Sequence, residues 1–120
     1  DFLEAIKLGD RIAIMKDGEI VQIGTPQEIV ANPANLYVKE FTQDVPRAKV
    51  LTAASIMQPV ERAQPPAWSE GNRRVTPQTT LEALIPLVLD TESPLSVVAD
   101  DGAIVGTLDQ RTVLLAMGQD

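Results

Sequence analysis

The groups this chain offers for chemistry are carboxylates and hydroxyls. It holds 17 Asp and Glu residues but no His and no Cys. Imidazole acid–base work, histidine or thiolate metal ligation and disulfide bonding are therefore excluded. No stretch has the Gly-rich spacing ending in Lys-Ser/Thr that cradles nucleotide phosphates. Asp10 precedes Arg11 at the start of an expected strand, Asp17 falls in an expected turn, and Asp109 caps an expected helix. A carboxylate at a helix N-terminus takes the place where free amides and the helix dipole attract an anion, so it repels phosphate. No catalytic residue and no metal site is expected.

At 120 residues there is room for one modest domain or two small units sharing a core. Apolar residues make up 44% of the chain and aromatic ones only 3%, so an interior must be built from Ile, Val, Leu and Ala. A formal net charge of −7 argues against nucleic acid as a partner. The lack of Cys suits a reducing compartment. No apolar run approaches the roughly 20 residues that span a bilayer, and no signal peptide is visible. The expectation is a soluble, acidic chain whose membrane link, if it has one, comes through a partner.

Short elements must position these side chains. Phe2, Ala5, Ile6 and Leu8 share one helical face, with Gly9 as a stop. RIAIM and EIVQI flank Lys16-Asp17-Gly18, the strongest hairpin signal in the chain, with Gly18 expected at positive φ. Thr25-Pro26-Gln27-Glu28 reads as a capping box with Pro at the first helical position, and Asn32-Pro33 ends that helix. Leu36, Tyr37, Val38 and Phe41 mark a further amphipathic helix. KVLTAASIM, residues 49–57, is compatible with helix. QPVERAQPPAWSEGNRR, residues 58–74, has three Pro and no clear period, and reads as a linker or long surface loop in which Trp68 docks onto a neighbouring surface.

A second unit begins at Val75. Thr79 is expected to cap a helix, with Glu82 three residues on and an apolar stripe of Leu81, Leu84, Ile85, Val88 and Leu89. Pro86 lies inside that pattern, where it is expected to remove a backbone bond and kink the helix at a cost of roughly 3 kcal/mol. LSVVA and AIVGTL flank Asp100-Asp101-Gly102 as a second hairpin. Asp109 then caps a last helix with Val113, Leu114 and Met117 facing inward.

LEAIKLGDRIAIMKDGEIVQIGTPQEIVANPANLYVKEF, residues 3–41, resembles the C-terminal end of the nucleotide-binding subunit of ABC transporters. The wording LGDRIAIMKDGEIVQIGTP is most similar to the importers of glycine betaine, proline and related quaternary amines. In that family a Thr-His-Asp triplet precedes the helix, so Asp1 stands where it follows the switch histidine. The phosphate loop, the Mg²⁺-holding Asp, the general base and that histidine all lie upstream. VTPQTTLEALIPLVLDTESPLSVVADDGAIVGTLDQRTVLLAM, residues 75–117, resembles a cystathionine-β-synthase (CBS) motif, which betaine and proline importer ATPases carry behind the ATPase domain. Family members that bind adenine nucleotides place a Ser or Thr three residues after the last-strand glycine, and an Asp three further on. Counted from Gly106, those positions hold Asp109 and Thr112, so the types are swapped. Thr76, Asp109 and Thr112 are only weak candidates for a nucleotide cleft, and from Val75 onward one base, Arg111, faces seven acids.

The resemblance implies an α+β chain in three parts. Residues 1–44 would be a hairpin-and-helices remnant of an ABC ATPase domain, 45–74 a linker, and 75–120 a CBS-type βαββα unit. It implies a non-catalytic, regulatory fragment of the ATP-binding subunit of an osmoprotectant importer, coupling an ionic or ligand signal to pairing of ATPase subunits. ATP and Mg²⁺ would be cofactors of the parent protein and not of the fragment. Implied partners are permease subunits, reached through the parent ATPase, and a second copy in a homodimer whose CBS units face each other. Ile12, Ile14, Ile20, Ile23 and the Leu81–Leu89 stripe would otherwise need cover. The implied location is cytoplasmic, peripheral to the inner (plasma) membrane through the transporter complex. Two alternatives stay open: a CBS module that binds an adenine nucleotide between motifs, and an ATPase tail ending in an OB-like β-domain, against which the helical 79–89 segment speaks. Sensing of anionic lipid would rest on Arg62, Arg73 or Arg74, because the unit is otherwise acidic.

Overall fold

Two glycines at positive φ close the hairpins around which the chain is organised, Gly18 at +82° and Gly102 at +89°. A computed structural model describes residues 10–64 and 71–118; the helix expected over residues 2–8 and the docking of Trp68 lie outside the described residues. The chain divides at Leu51/Thr52 into two compact units.

In the first unit β1 (Ile12–Lys16) pairs antiparallel with β2 (Glu19–Gly24). Asp17 at φ +53° and Gly18 are both left-handed, as a two-residue type I′ turn requires. The register shifts after Ile14, which faces Gln22 while Met15 faces Ile20. The shift leaves one face of the ribbon apolar inward and the other apolar outward. Ile14 is buried with Ile29 and Val38, with Ile12, Val21 and Tyr37 packed against them. Met15, Ile20 and Ile23 are more than half exposed. Of the four isoleucines expected to need cover, Ile12 and Ile14 find it inside this unit, and Ile20 and Ile23 do not.

Helix α1 (Pro26–Ala31) carries the expected capping box, with Thr25 Oγ1 accepting from the Glu28 amide and Glu28 Oε2 accepting from the Thr25 amide. Gly24 makes room for it, since a Cβ there would stand 2.6 Å from Glu28 Oε2. The Gln22 side chain holds the following bend, donating to the Asn32 carbonyl at 3.0 Å and accepting from the Ala34 amide at 2.8 Å. Helix α2 (Leu36–Phe41) is capped by Asn35, and α3 (Arg47–Val50) follows.

In the second unit α4 (Ala53–Ile56) leads into a sheet of order β3-β6-β5-β4, with β3 Gln58–Ala63, β4 Arg74–Val75, β5 Leu95–Val98 and β6 Ile104–Leu108. β4 runs parallel to β5, and the other pairings are antiparallel. Helix α5 (Leu81–Leu89) makes the crossover that a parallel pair demands, and α6 (Gln110–Met117) closes the unit. From β4 onward the order is strand, helix, strand, strand, helix, as expected, and the chain is α+β.

Four local expectations are corrected. The stretch 58–74, read as a linker or long surface loop, contributes the edge strand β3, while 53–56 are helical as 49–57 allowed; Pro59 is tolerated because an edge strand need not donate on both sides. Because almost all of β3 is exposed, no alternating pattern advertises it. The cap of α5 is Thr80, whose hydroxyl accepts from the Ala83 amide, while Thr79 is held in the preceding turn. Pro86 sits on the exposed side of α5, which runs through it unbroken, and Leu89 is 63% exposed. In α6 the inward residues are Val113 and Ala116, whereas Leu114 and Met117 are largely exposed. Gln110 Nε2 donates to the Val88 carbonyl at 3.0 Å, and this bond between α5 and α6 fixes which face of α6 turns inward.

Nothing lies within 4 Å of a Cβ built on Gly18, so a substitution there acts through backbone strain alone. Gly18→Val is expected to destabilise the first unit by about 1–3 kcal/mol, because a β-branched residue is strained at positive φ. Thermal melts followed by circular dichroism check this; an unchanged melting temperature would contradict the turn.

Candidate functional site

The residues singled out for a nucleotide cleft are built by two different chain turns. Leu108 ends β6, and Asp109 follows with extended backbone, φ −101° and ψ 168°. Its Oδ1 accepts from the Thr112 amide at 2.7 Å. That amide holds the Asp109 carboxyl below the ordinary carboxylate range, helped by the Thr112 hydroxyl and, more weakly, by the Arg111 charge. Asp109 and Thr112 are thus brought together, and what they do is satisfy one another. The helix-start amide that would otherwise be open to a phosphate is already taken by a carboxylate.

Thr76 belongs to the β4–α5 turn. Its amide donates to Thr79 Oγ1 at 3.1 Å, the two hydroxyls lie 3.0 Å apart, and its carbonyl accepts from the Thr79 amide. Helix α4 braces the same turn: Ala53 N–H donates to the Thr79 carbonyl at 2.8 Å and Ala54 N–H to the Pro77 carbonyl at 3.0 Å. Free amides at a helix start are commonly met by side chains or water; here another segment's carbonyls meet them.

Sheet register separates the two turns. Val75 pairs with Val97, so Thr76 lies level with Val98 at the C-terminal end of β5. Leu108 pairs with Leu95, so Asp109 lies beyond the N-terminal end of β5. The two positions differ by about 13 Å along the strands and by two strand spacings of about 5 Å across them. The three candidates therefore do not converge on one ligand.

A polar row that the sequence barely signals crosses the sheet. Gln58 pairs with Thr107, Thr107 with Ser96 and Ser96 with Arg74, so four polar residues line up across all four strands. Ser96 is 1% exposed, and its Oγ meets no hydrogen-bond partner among the described residues. Its only signal was a Ser inside the apolar run LSVVA. Asp10 and Asp17 are exposed, and Asp17 occupies the turn. Among the described residues no group of three or more acidic residues is placed to hold a metal ion, and no helix is long and apolar enough to cross a membrane.

No protein-family model matches the chain. The trimethylamine N-oxide transport system ATP-binding protein TmoW of Pelagibacter ubique is 39% identical over 114 residues, covering 95% of this chain and 32% of that protein. The glycine betaine transport ATP-binding protein OpuAA of Bacillus subtilis is 59% identical over 61 residues, 51% of this chain and 15% of that protein. The glycine betaine/carnitine transport ATP-binding protein GbuA of Listeria monocytogenes is 54% identical over 57 residues, 48% of this chain and 14% of that protein. The chain spans about a third or less of the length of these curated relatives. Among solved structures, the crystal structure of CBSX2 in complex with AMP aligns with 96% of this chain and 79% of that one, at 20% identity and a TM-score of 0.35.

Asp109 and Asp101 are both held below the ordinary carboxylate value of 3.8, Asp101 by the Ala103 amide first and by Arg62 next. A folded pKa below the unfolded one contributes stability that is present above the unfolded value and is lost as pH falls through the folded one. The contributions of these two exposed carboxylates are therefore expected to be present above about pH 4 and to be lost as pH falls further. Asp109→Ala should cost about 1 kcal/mol at pH 7, whereas Asp109→Asn should keep the cap and flatten the acid limb. Melts between pH 7 and pH 2.5 decide this, and an Asp109→Ala protein as stable as the wild type would remove the cap from the account.

Proposed function

We propose that this chain, homologous across both of its units to ATP-binding subunits of trimethylamine N-oxide and glycine betaine transport systems, is a non-catalytic regulatory segment of such a subunit. The observation that carries the reading is the 114-residue match, which necessarily crosses the Leu51/Thr52 boundary and so preserves both units in one order. In this reading residues 1–44 are the end of an ABC ATPase domain, and 75–120 form a CBS-type unit. Residues 45–74 join them, and part of that stretch folds with the second unit.

The segment lacks the phosphate-loop spacing that triphosphate chemistry needs, so ATP and Mg²⁺ belong to the longer protein. Its partners are then the permease subunits of the importer, and its place is the cytoplasmic side of the membrane that holds them. The second unit's task is to bias ATPase pairing in response to an ionic signal. Adenine nucleotide is the weaker candidate signal, since Asp109 and Thr112 cap α6 and Thr76 stands at the other end of the sheet.

A chimera tests this. The chain replaces the aligned segment of the Pelagibacter ubique trimethylamine N-oxide ATP-binding protein, and uptake is followed against salt. Uptake that keeps its salt response with the chain in place, and loses that response while ATP turnover persists once residues 52–120 are deleted, is expected. A salt response unchanged by the deletion would overturn the regulatory reading.

The chain is also read as a homodimer with its CBS units facing. Support comes from Leu114, Leu115 and Met117 on α6 and Leu89 on α5, all of them 40% exposed or more. An isologous contact is the common way to bury such a surface. Light scattering at micromolar concentration should give twice the 13.0 kDa of one chain, and a mass near 13.0 kDa would defeat the dimer.

A further inference from the structure

β3 is the least secured strand of the second unit's sheet. It lies at the edge, and its pairing with β6 runs over Gln58–Thr107 and Pro59–Gly106, breaks, and resumes only at Ala63–Ile104. Pro59 has no amide hydrogen to give. The start of the strand is anchored by packing, because Met57 fills the space above Gly106; a Cβ on Gly106 would overlap Met57 Sδ and stand 3.2 Å from the Gln58 carbonyl.

Beyond the break the fastening is electrostatic. Arg62 Nη2 pairs with Asp101 Oδ2 in the β5–β6 turn. The other oxygen of the same carboxylate, Oδ1, accepts from the Ala103 amide at 3.1 Å. One side chain thus closes the turn and holds the far half of β3. Arg73 and Asp90 repeat the arrangement at the opposite edge, where Arg73 immediately precedes β4 and Asp90 is the C-cap of α5. Each of these four side chains is 47% exposed or more, so both pairs feel the ionic strength of the solvent.

We infer that β3 is a latch, an edge strand whose far half is fastened to the β5–β6 turn by the Arg62–Asp101 pair and loosened as salt screens that pair. Release starts at Val60–Ala63, beyond the Met57–Gly106 anchor, where the pairing with β6 is already broken. The inference deepens the regulatory reading above by naming the element that moves. Its test needs neither transporter nor nucleotide, so the two can fail separately.

Amide hydrogen exchange on the full chain, at 50 mM and 1 M NaCl, measures the latch. At 1 M the screening length falls to about 3 Å. An exposed ion pair shifts an opening equilibrium by about two- to fivefold, so the amides of Ala63 and Ile104, where the far half of β3 still pairs with β6, should exchange faster by that factor at high salt. The amides of Ile12–Ile14, which face only the uncharged Gly24, Ile23 and Gln22 across the β1–β2 ribbon, should not change. Arg62→Gln and Asp101→Asn should each show the high-salt behaviour already at 50 mM, with no further response to salt. Asp101→Asn keeps an oxygen for the Ala103 amide, so the turn itself is spared. Wild-type and Arg62→Gln chains that exchange alike at 50 mM would overturn the latch. So would faster exchange in Arg62→Gln at 50 mM that extends equally to Leu95–Val98, because the pair would then stabilise the whole unit and not one strand.

Discussion

Burial of β5 is the constraint on which the second unit depends. Leu95 and Val97 are fully buried, and Ser96 between them nearly so. A strand sealed on both faces must also be paired on both edges, since each unpaired backbone group would lie out of reach of water. On one side the antiparallel neighbour β6 is reached by a tight turn, which needs only Gly102 at positive φ and the Asp101 carboxylate on the Ala103 amide. On the other side the neighbour β4 is parallel, and a parallel neighbour cannot be reached by a turn. Helix α5 exists to make that crossover, and its Leu81, Leu84 and Val88 face inward because the connection has to lie over a sheet.

From this follows what the polar residues are free to do. Turns at both ends of β5 need hydrogen-bonding partners, and the side chains best suited to bind a ligand are the ones that provide them. Asp109 caps α6, Thr76 and Thr79 close the β4–α5 turn, and Asp101 serves the β5–β6 turn and the edge strand together. Polar chemistry in this unit is therefore largely structural. What remains adjustable is exposed charge at the sheet edges, where solvent and salt have direct access.

The first unit solves a different problem. A two-stranded ribbon is marginal alone. Here the bulge after Ile14 turns one face toward Ile29 and Val38, and the Lys16 ammonium lies 4.9 Å from the centre of the Tyr37 ring. The opposite face, with Met15, Ile20 and Ile23, stays apolar and exposed. The two apolar faces of one ribbon explain why its strands, IAIMK and EIVQIG, are mostly apolar without clean alternation.

Local rules were legible in the sequence wherever one short stretch sufficed to satisfy its own backbone. Asp17-Gly18 made a turn because only small or permissive residues reach positive φ. Thr25 and Glu28 made a capping box because each supplies what the other's amide lacks, and the order of elements from Val75 onward followed from periodicity. Tertiary structure decided what depends on partners distant in the chain. Thr80 rather than Thr79 caps α5, because Thr79 is engaged with Thr76 and its carbonyl takes the Ala53 amide. Val113 and Ala116 face inward on α6, because Gln110 is tied to the Val88 carbonyl. Residues 58–63 become a strand because β6 offers an open edge, and an exposed strand leaves no hydrophobic alternation to be read. Thr76 and Asp109 are kept apart by the register of strands that are not neighbours in the sequence, and spacing along the chain carries no information about that distance.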